Sequence, residues 1–272
     1  MDDWVFMEDP VDAVPRQYVA LFGRKGGIGR TFLTHSLARR MAQQGLQVGI
    51  LDTDMCCSTA QLLLPEGAAK DICFGKSRGW EPINVPIADS DVCIKVFSLA
   101  MMLPSEEPAS LAFLPHRKRT LLAQFLQHII WGPLDILLID TPPSIGEIHI
   151  ALLEFLRSSH NASVVLVAED GSAAGQTATE SDIILCKSQG VQLAGIVVNK
   201  DRATSVGVEG ESNHEEDGAL DDLSAKHDIP IVSRVALRPA GQSDAASAAE
   251  SETAALDALA SLLNAGPSSA DQ

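Results

Sequence analysis

Positive charge is scarce in this chain of 272 residues: 20 Lys and Arg stand against 36 Asp and Glu, a net charge of −16. Binding to DNA, RNA or anionic lipid draws on clustered basic side chains, so neither nucleic acid nor membrane belongs among the expected partners. Uninterrupted apolar runs are also missing. None approaches the roughly 18–20 residues of a membrane helix, and the acidic start, MDDWVFMEDPVDAVPRQ, has no basic region followed by an apolar stretch. Cysteine is sparse: Cys56, Cys57, Cys73, Cys93 and Cys186 are odd in number and form no C-x-x-C pair. That excludes a disulfide framework and a self-contained zinc site, and the expected location is cytoplasmic. What remains is apolar material, 46% of the residues, enough to bury a large core. The acid is concentrated late. From Asp201 to Gln272 there are 14 acidic and four basic residues.

Short aliphatic runs alternate with longer helical patterns. Tyr18–Phe22, Gln47–Leu51, Val92–Phe97, Leu134–Ile139, Ser163–Ala168, Leu193–Val198 and Ile229–Val235 read as strands. Several are almost continuously apolar, as in a parallel sheet covered on both faces. Thr31–Gln44, His116–Ile130, Glu147–Arg157, Ala173–Ser188, Ala219–His227 and the Ala- and Leu-rich stretch 245–264 read as helices. The order predicts an α/β fold: a doubly wound, mostly parallel sheet of about seven or eight strands with helices on both faces. The expected organisation is an N-terminal extension over 1–17 and one domain over 18–265. Within that domain 202–218 is an acidic loop without periodicity, and 266–272 is a frayed tail.

In such a sheet, ligands lie beyond the carboxyl ends of the strands. Directly after the first strand comes FGRKGGIGRTF, Phe22–Phe32, opening into a helix. Glycines at a helix N-terminus offer backbone N–H groups and the positive end of the helix dipole to a phosphate, although such a turn can also merely pack a helix on a strand. Thr31 stands where a hydroxyl ligates Mg²⁺. After the second strand, Asp52 and Asp54 alternate in a way that places both carboxylates on one face of an extended segment, able to hold Mg²⁺ waters and an attacking water; turn acids are the alternative. The fourth long run ends in Asp140, a carboxylate placed to hold a water on Mg²⁺ and to bond the Thr31 hydroxyl. Asn199 ends the sixth run, where an amide can read adenine or simply make a turn.

Lys25-Gly26-Gly27-Ile28-Gly29-Arg30-Thr31 resembles the deviant Walker A loop of the MinD/ParA/Mrp superfamily of ATPases. The resemblance implies ATP and Mg²⁺ as ligands and a loop in which Arg24, Lys25, Gly26, Gly27, Ile28, Gly29, Arg30, Thr31 and Phe32 surround the phosphates. It implies that Asn199 reads the base and that Thr31, Asp54 and Asp140 serve the metal. Asp54 would orient the attacking water. Lys25 would reach across a dimer to the partner's ATP, as an arginine finger does elsewhere. Asp140-Thr141-Pro142-Pro143, Glu147, His149 and Arg78–Ile83 are similar to segments of the Mrp branch, the nucleotide-binding proteins of cytosolic iron–sulfur cluster assembly.

Three departures bear on function. Arg30 occupies the place of the phosphate-gripping lysine, and its planar guanidinium is bulkier than an ammonium. Phe32 stands where relatives carry Ser or Thr on the α-phosphate. Those two predict weak ATP binding and slow or absent hydrolysis. No cysteine follows Asn199, so a bridging [4Fe–4S] cluster cannot be held by a C-x-x-C pair beyond the sixth strand as relatives hold it. The expected function is therefore an ATP-binding protein of the iron–sulfur scaffold type without its own bridging ligands, acting as a homodimer or as a heterodimer with a cysteine-bearing relative. A MinD/ParA-like positioning switch and a pseudo-ATPase scaffold for a protein partner are the alternatives. Against the first of these, Ser251–Asn264 carries Glu252 and Asp257 and no basic residue.

Overall fold

A computed structural model describes residues 14–54, 79–87, 92–98, 115–169, 173–201, 218–236 and 245–265. In chain order the elements are β1 (Tyr18–Phe22), α1 (Arg30–Gln43), β2 (Val48–Asp52), β3 (Ile83–Pro86), β4 (Cys93–Ser98), α2 (Pro115–His128) and β5 (Ile136–Asp140). There follow α3 (Glu147–Ser158), β6 (Ala162–Ala168), α4 (Ala173–Ser188), β7 (Gln192–Asp201), α5 (Ala219–His227), β8 (Ile231–Ala236) and α6 (Ala245–Asn264). The eight strands form one sheet in the order β3-β4-β2-β5-β1-β6-β7-β8. All neighbours are parallel except β3 with β4.

The strand period of two divides each central strand between two cores. From β1, Tyr18, Ala20 and Phe22 face one core, which takes its helical side chains from α2, α3, α4 and α5. Val19 and Leu21 face the other, filled by Leu33, Leu37 and Met41 of α1 and by Leu256, Leu259 and Leu263 of α6. Both faces of the sheet are thus covered, which accounts for the unbroken burial of YVALF, VGILD and ILLID. Asp257 fastens α6 to α1, accepting from Arg40 Nε at 2.5 Å and Nη2 at 2.7 Å.

β3 is the strand the aliphatic runs do not announce. It is four residues long, half exposed, at the edge, and ends on Pro86, which an edge strand tolerates because one side of its backbone has no ladder to donate to. Several strands also run one to three residues past their apolar runs: β2 closes on Asp52, β4 on Ser98, β5 on Asp140 and β7 on Asp201. The carboxyl edge of the sheet is therefore polar. The ends of β2, β5, β1, β6 and β7 lie side by side along it.

Candidate functional site

The loop between β1 and α1 leaves the sheet at Gly23, where any Cβ would lie 2.6 Å from the carbonyl oxygen of Val167 on β6. It re-enters helix at Gly29, whose φ of 94° is left-handed and whose Cβ would lie 2.1 Å from Asn199 Nδ2. Between them, Gly26 and Gly27 face open space. Helix α1 begins with no side-chain cap, so the amide donors of its first turn are left for a ligand.

Asp140 closes the foot of this loop. Its side chain is buried, and the carboxyl is pushed up to about 7 by burial first and by Asp52 second, with the hydrogen bond from Thr31 pulling the other way. The Oδ1 atom has no protein partner. A buried carboxylate with one hydroxyl donor and an orphaned oxygen costs free energy until a cation or a water bound to one completes it. The arrangement fits Mg²⁺, which keeps most of its waters and takes only one or two protein oxygens beside a phosphate. Consistent with so sparse a ligand set, no group of three His, Cys, Asp or Glu residues capable of holding a metal occurs among the described residues. Asp52 ends the adjoining strand, and its Oδ1 accepts the backbone N–H of Asp54, two residues on, at 2.9 Å. Thr53 hangs on Asp140, its hydroxyl donating to the Asp140 carbonyl at 2.7 Å.

Each cation of the loop has a distinct anchor. Lys25 Nζ meets Glu169 Oε2 at 2.6 Å, at the end of β6, and is half exposed. Arg24 directs Nε and Nη2 onto Oδ1 of Asp182 in α4, at 3.0 and 2.8 Å. Arg30 is buried, with Nε on the carbonyl of Thr141 at 3.1 Å and Nη1 on that of Lys25 at 3.2 Å. Burial lowers its pKa, against the opposing pull of Asp140, Asp54 and Asp182. The guanidinium thus bridges the glycine loop to the segment after β5. Asn199 Nδ2 donates to the Ile28 carbonyl at 2.7 Å. Phe32, in the first turn of α1, is 47% exposed and offers no hydroxyl.

Behind the loop lies His149, in the first turn of α3 and fully covered. Its ring stands edge-on to Phe22 at 5.0 Å, and Nδ1 accepts the Gly146 N–H at 3.4 Å. Burial, then the nearby charge of Arg30, holds it neutral with a pKa near 4. Asp182, Thr53 and Lys200 are contributors that motif reading passes over. Only Asp182 left a trace: an acid among Gly175, Thr179, Ile183 and Cys186, the buried stripe of α4. Cys56 and Cys57 lie outside the described residues. Cys186, in the α4 core, has its thiol pushed up to about 12 by burial and lies in no metal-binding cluster.

The model of one family matches residues 15–263, nearly the whole chain; it describes the ParA-type NUBPL iron-transfer P-loop NTPases. The chain belongs to this family. Among similar proteins, the cytosolic Fe-S cluster assembly factor CFD1 of Eremothecium gossypii is 30% identical over 223 residues, 82% of this chain and 78% of the relative. The human cytosolic Fe-S cluster assembly factor NUBP2 is 29% identical, over 83% of this chain and 80% of its own. The NUBPL-type fold is similar to that of a nucleotide-binding protein from Archaeoglobus fulgidus solved with ADP, with a TM-score of 0.63 at 22% identity, covering 93% of this chain and 89% of that one. It is also similar to the Pyrococcus furiosus cell division ATPase MinD, with a TM-score of 0.60 at 14% identity over 91% of this chain and 99% of that one. No described helix is long and apolar enough to cross a membrane.

Proposed function

We propose that this chain is an ATP-binding P-loop protein of cytosolic iron–sulfur cluster assembly, with weak hydrolysis and without bridging cluster ligands of its own. The observation that carries the nucleotide reading is Asp140, buried and joined to Thr31 on one side with Oδ1 left without a partner, at the foot of a glycine loop open at Gly26 and Gly27. Thr31 and Asp140 would hold Mg²⁺ with a nucleotide, and Asp54 adds a carboxylate at the adjoining strand end; the ion supplies charge neutralisation between phosphate oxygens. The amides of 26–31 bind phosphate. Asn199 faces the base and Asp54 orients water.

Lys25 supplies the dimer. Its half-exposed ammonium is held by Glu169 within its own chain and has to leave that carboxylate to reach a second protomer. The absence of cysteine after Asn199 favours pairing with a cysteine-bearing relative, to which this chain lends one nucleotide site. Relatives named as cytosolic Fe-S assembly factors support the pathway. A second reading, a pseudo-ATPase scaffold, is favoured by Arg30, which spends two of its donors on backbone carbonyls. Calorimetric titration with ATP and Mg²⁺ separates the two. Micromolar binding by the wild type supports the first. No binding by the wild type, restored by Arg30→Lys, supports the scaffold. The assembly role is tested by anaerobic reconstitution with a cysteine-bearing relative, where absence of both pairing and cluster absorbance refutes it.

A further inference from the structure

Asn199 and Lys200 are consecutive residues of one strand, yet both reach the phosphate loop. Asn199 Nδ2 donates to the carbonyl of Ile28 and Lys200 Nζ to that of Gly27, each at 2.7 Å. Regular alternation would send neighbouring side chains to opposite faces of the sheet. The backbone is altered to prevent this. The register of β7 against β8 shifts between Asn199 and Asp201, and Lys200 has a left-handed φ of 59°. A bulge that re-aims a side chain, at a residue other than glycine, is strain kept where a ligand is handled.

We infer that the four-carbon stem of Lys200 is the platform on which the purine ring of the bound nucleotide rests, and this rests on the nucleotide-binding reading above. With phosphates on the amides of 26–31, the base has two directions along the carboxyl edge. Toward β5 and β2 it meets Asp140, Asp52 and Asp54, the metal side. Toward β7 it meets Asn199 and Lys200. Anchoring Nζ on the Gly27 carbonyl stretches the stem from the end of β7 to the loop and fixes its position before a ligand arrives. A lysine stem is apolar along its length, and a cation beside an aromatic face is attractive, so the surface suits the flat side of a purine. Asn199, having given one hydrogen to Ile28, keeps its second amide hydrogen and its carbonyl oxygen for the ring edge. The role differs from that of a phosphate-gripping lysine, because the ammonium is already bound to the outer, carbonyl side of the loop.

The test uses the full chain with ADP and Mg²⁺ in one titration and tripolyphosphate and Mg²⁺, which has no base, in another. Lys200→Gly removes the stem and relieves the left-handed φ, so its melting temperature should hold or rise. Its ADP affinity should fall by about fivefold, roughly what losing one buried methylene of the stem costs, with tripolyphosphate binding unchanged. Lys200→Met keeps a stem and should stay within about twofold of wild type for ADP. Equal losses for ADP and tripolyphosphate would assign Lys200 to the phosphates and overturn the inference, as would an unchanged ADP affinity in Lys200→Gly. A wild type that binds neither ligand overturns the nucleotide reading itself.

Discussion

Arg24→Gly removes the partner of a buried carboxylate. Asp182 has 2% of its side chain exposed, whereas Arg24 has 38%. Breaking a buried pair by deleting one partner costs about 3–5 kcal/mol. Water reaches the guanidinium and weakens the pair, and Asp182 can take a proton, so about 2 kcal/mol at pH 8 is the expected loss. The pH dependence follows from direction alone. Burial already raises the Asp182 carboxyl, and the hydrogen bonds and charge of Arg24 hold it down; without them it rises further. A group whose folded pKa is raised contributes its stability in the protonated form, fully present below the unfolded pKa and lost as pH climbs through the folded one. The deficit of Arg24→Gly should therefore be largest at pH 8 and shrink toward pH 5. Urea unfolding at both pH values, on each single variant and on Arg24→Gly with Asp182→Asn, measures it. The double variant should recover more than half of the loss at pH 8. A coupling below about 0.5 kcal/mol, or a deficit that grows toward pH 5, would refute the reasoning.

Asp140→Asn should raise the melting temperature of the ligand-free protein at pH 8 and change it little at pH 5, because a carboxyl raised to about 7 loses its contribution as pH climbs through that value. The same variant should lose the stabilisation that Mg²⁺ with ADP gives the wild type, read in the same melts. Gly29→Ala forces a side chain into a φ of 94° and onto Asn199, and should lower unfolding free energy by about 2–4 kcal/mol in a urea titration. Lys25→Ala should alter stability by less than about 1 kcal/mol, since its pair with Glu169 is exposed, yet abolish nucleotide-dependent dimerisation in light scattering. A dimer that persists with ATP would remove Lys25 from the interface.

The aliphatic runs located seven strands because the central ones, covered on both faces, are almost continuously apolar, and the longer periodic stretches between and after them located six helices. β3 escaped for the converse reason: four residues at an edge, half exposed, make no such run. The polar residues that end the strands escaped likewise, since Asp52, Ser98, Asp140 and Asn199–Asp201 look like loop by composition while their backbones stay in the ladder. The glycine loop and the acid at the end of β5 were visible as local motifs. Pairings between distant elements were not. Nothing local in Arg24 points to Asp182, 158 positions away, or in Lys25 to Glu169, 144 away. Lys200 was hidden by its bulge, because a strict period of two sends it away from the loop it touches.

β1 occupies the middle of the sheet, with Tyr18 opposite Leu137 of β5 on one side and Ala162 of β6 on the other. During synthesis the first strand therefore waits for more than one hundred later residues before either flank is paired. Helix α1 waits longer, since Leu256, Leu259 and Leu263 of α6 complete the core that it shares. A nascent chain stopped after β4 would hold the whole glycine loop without β5, β6 and β7, whose ends contact it. Non-local closure of this kind is slow and leaves apolar strand exposed meanwhile. The emergence of β5, β6 and β7 from the ribosome thus decides when the glycine loop first exists as a structure.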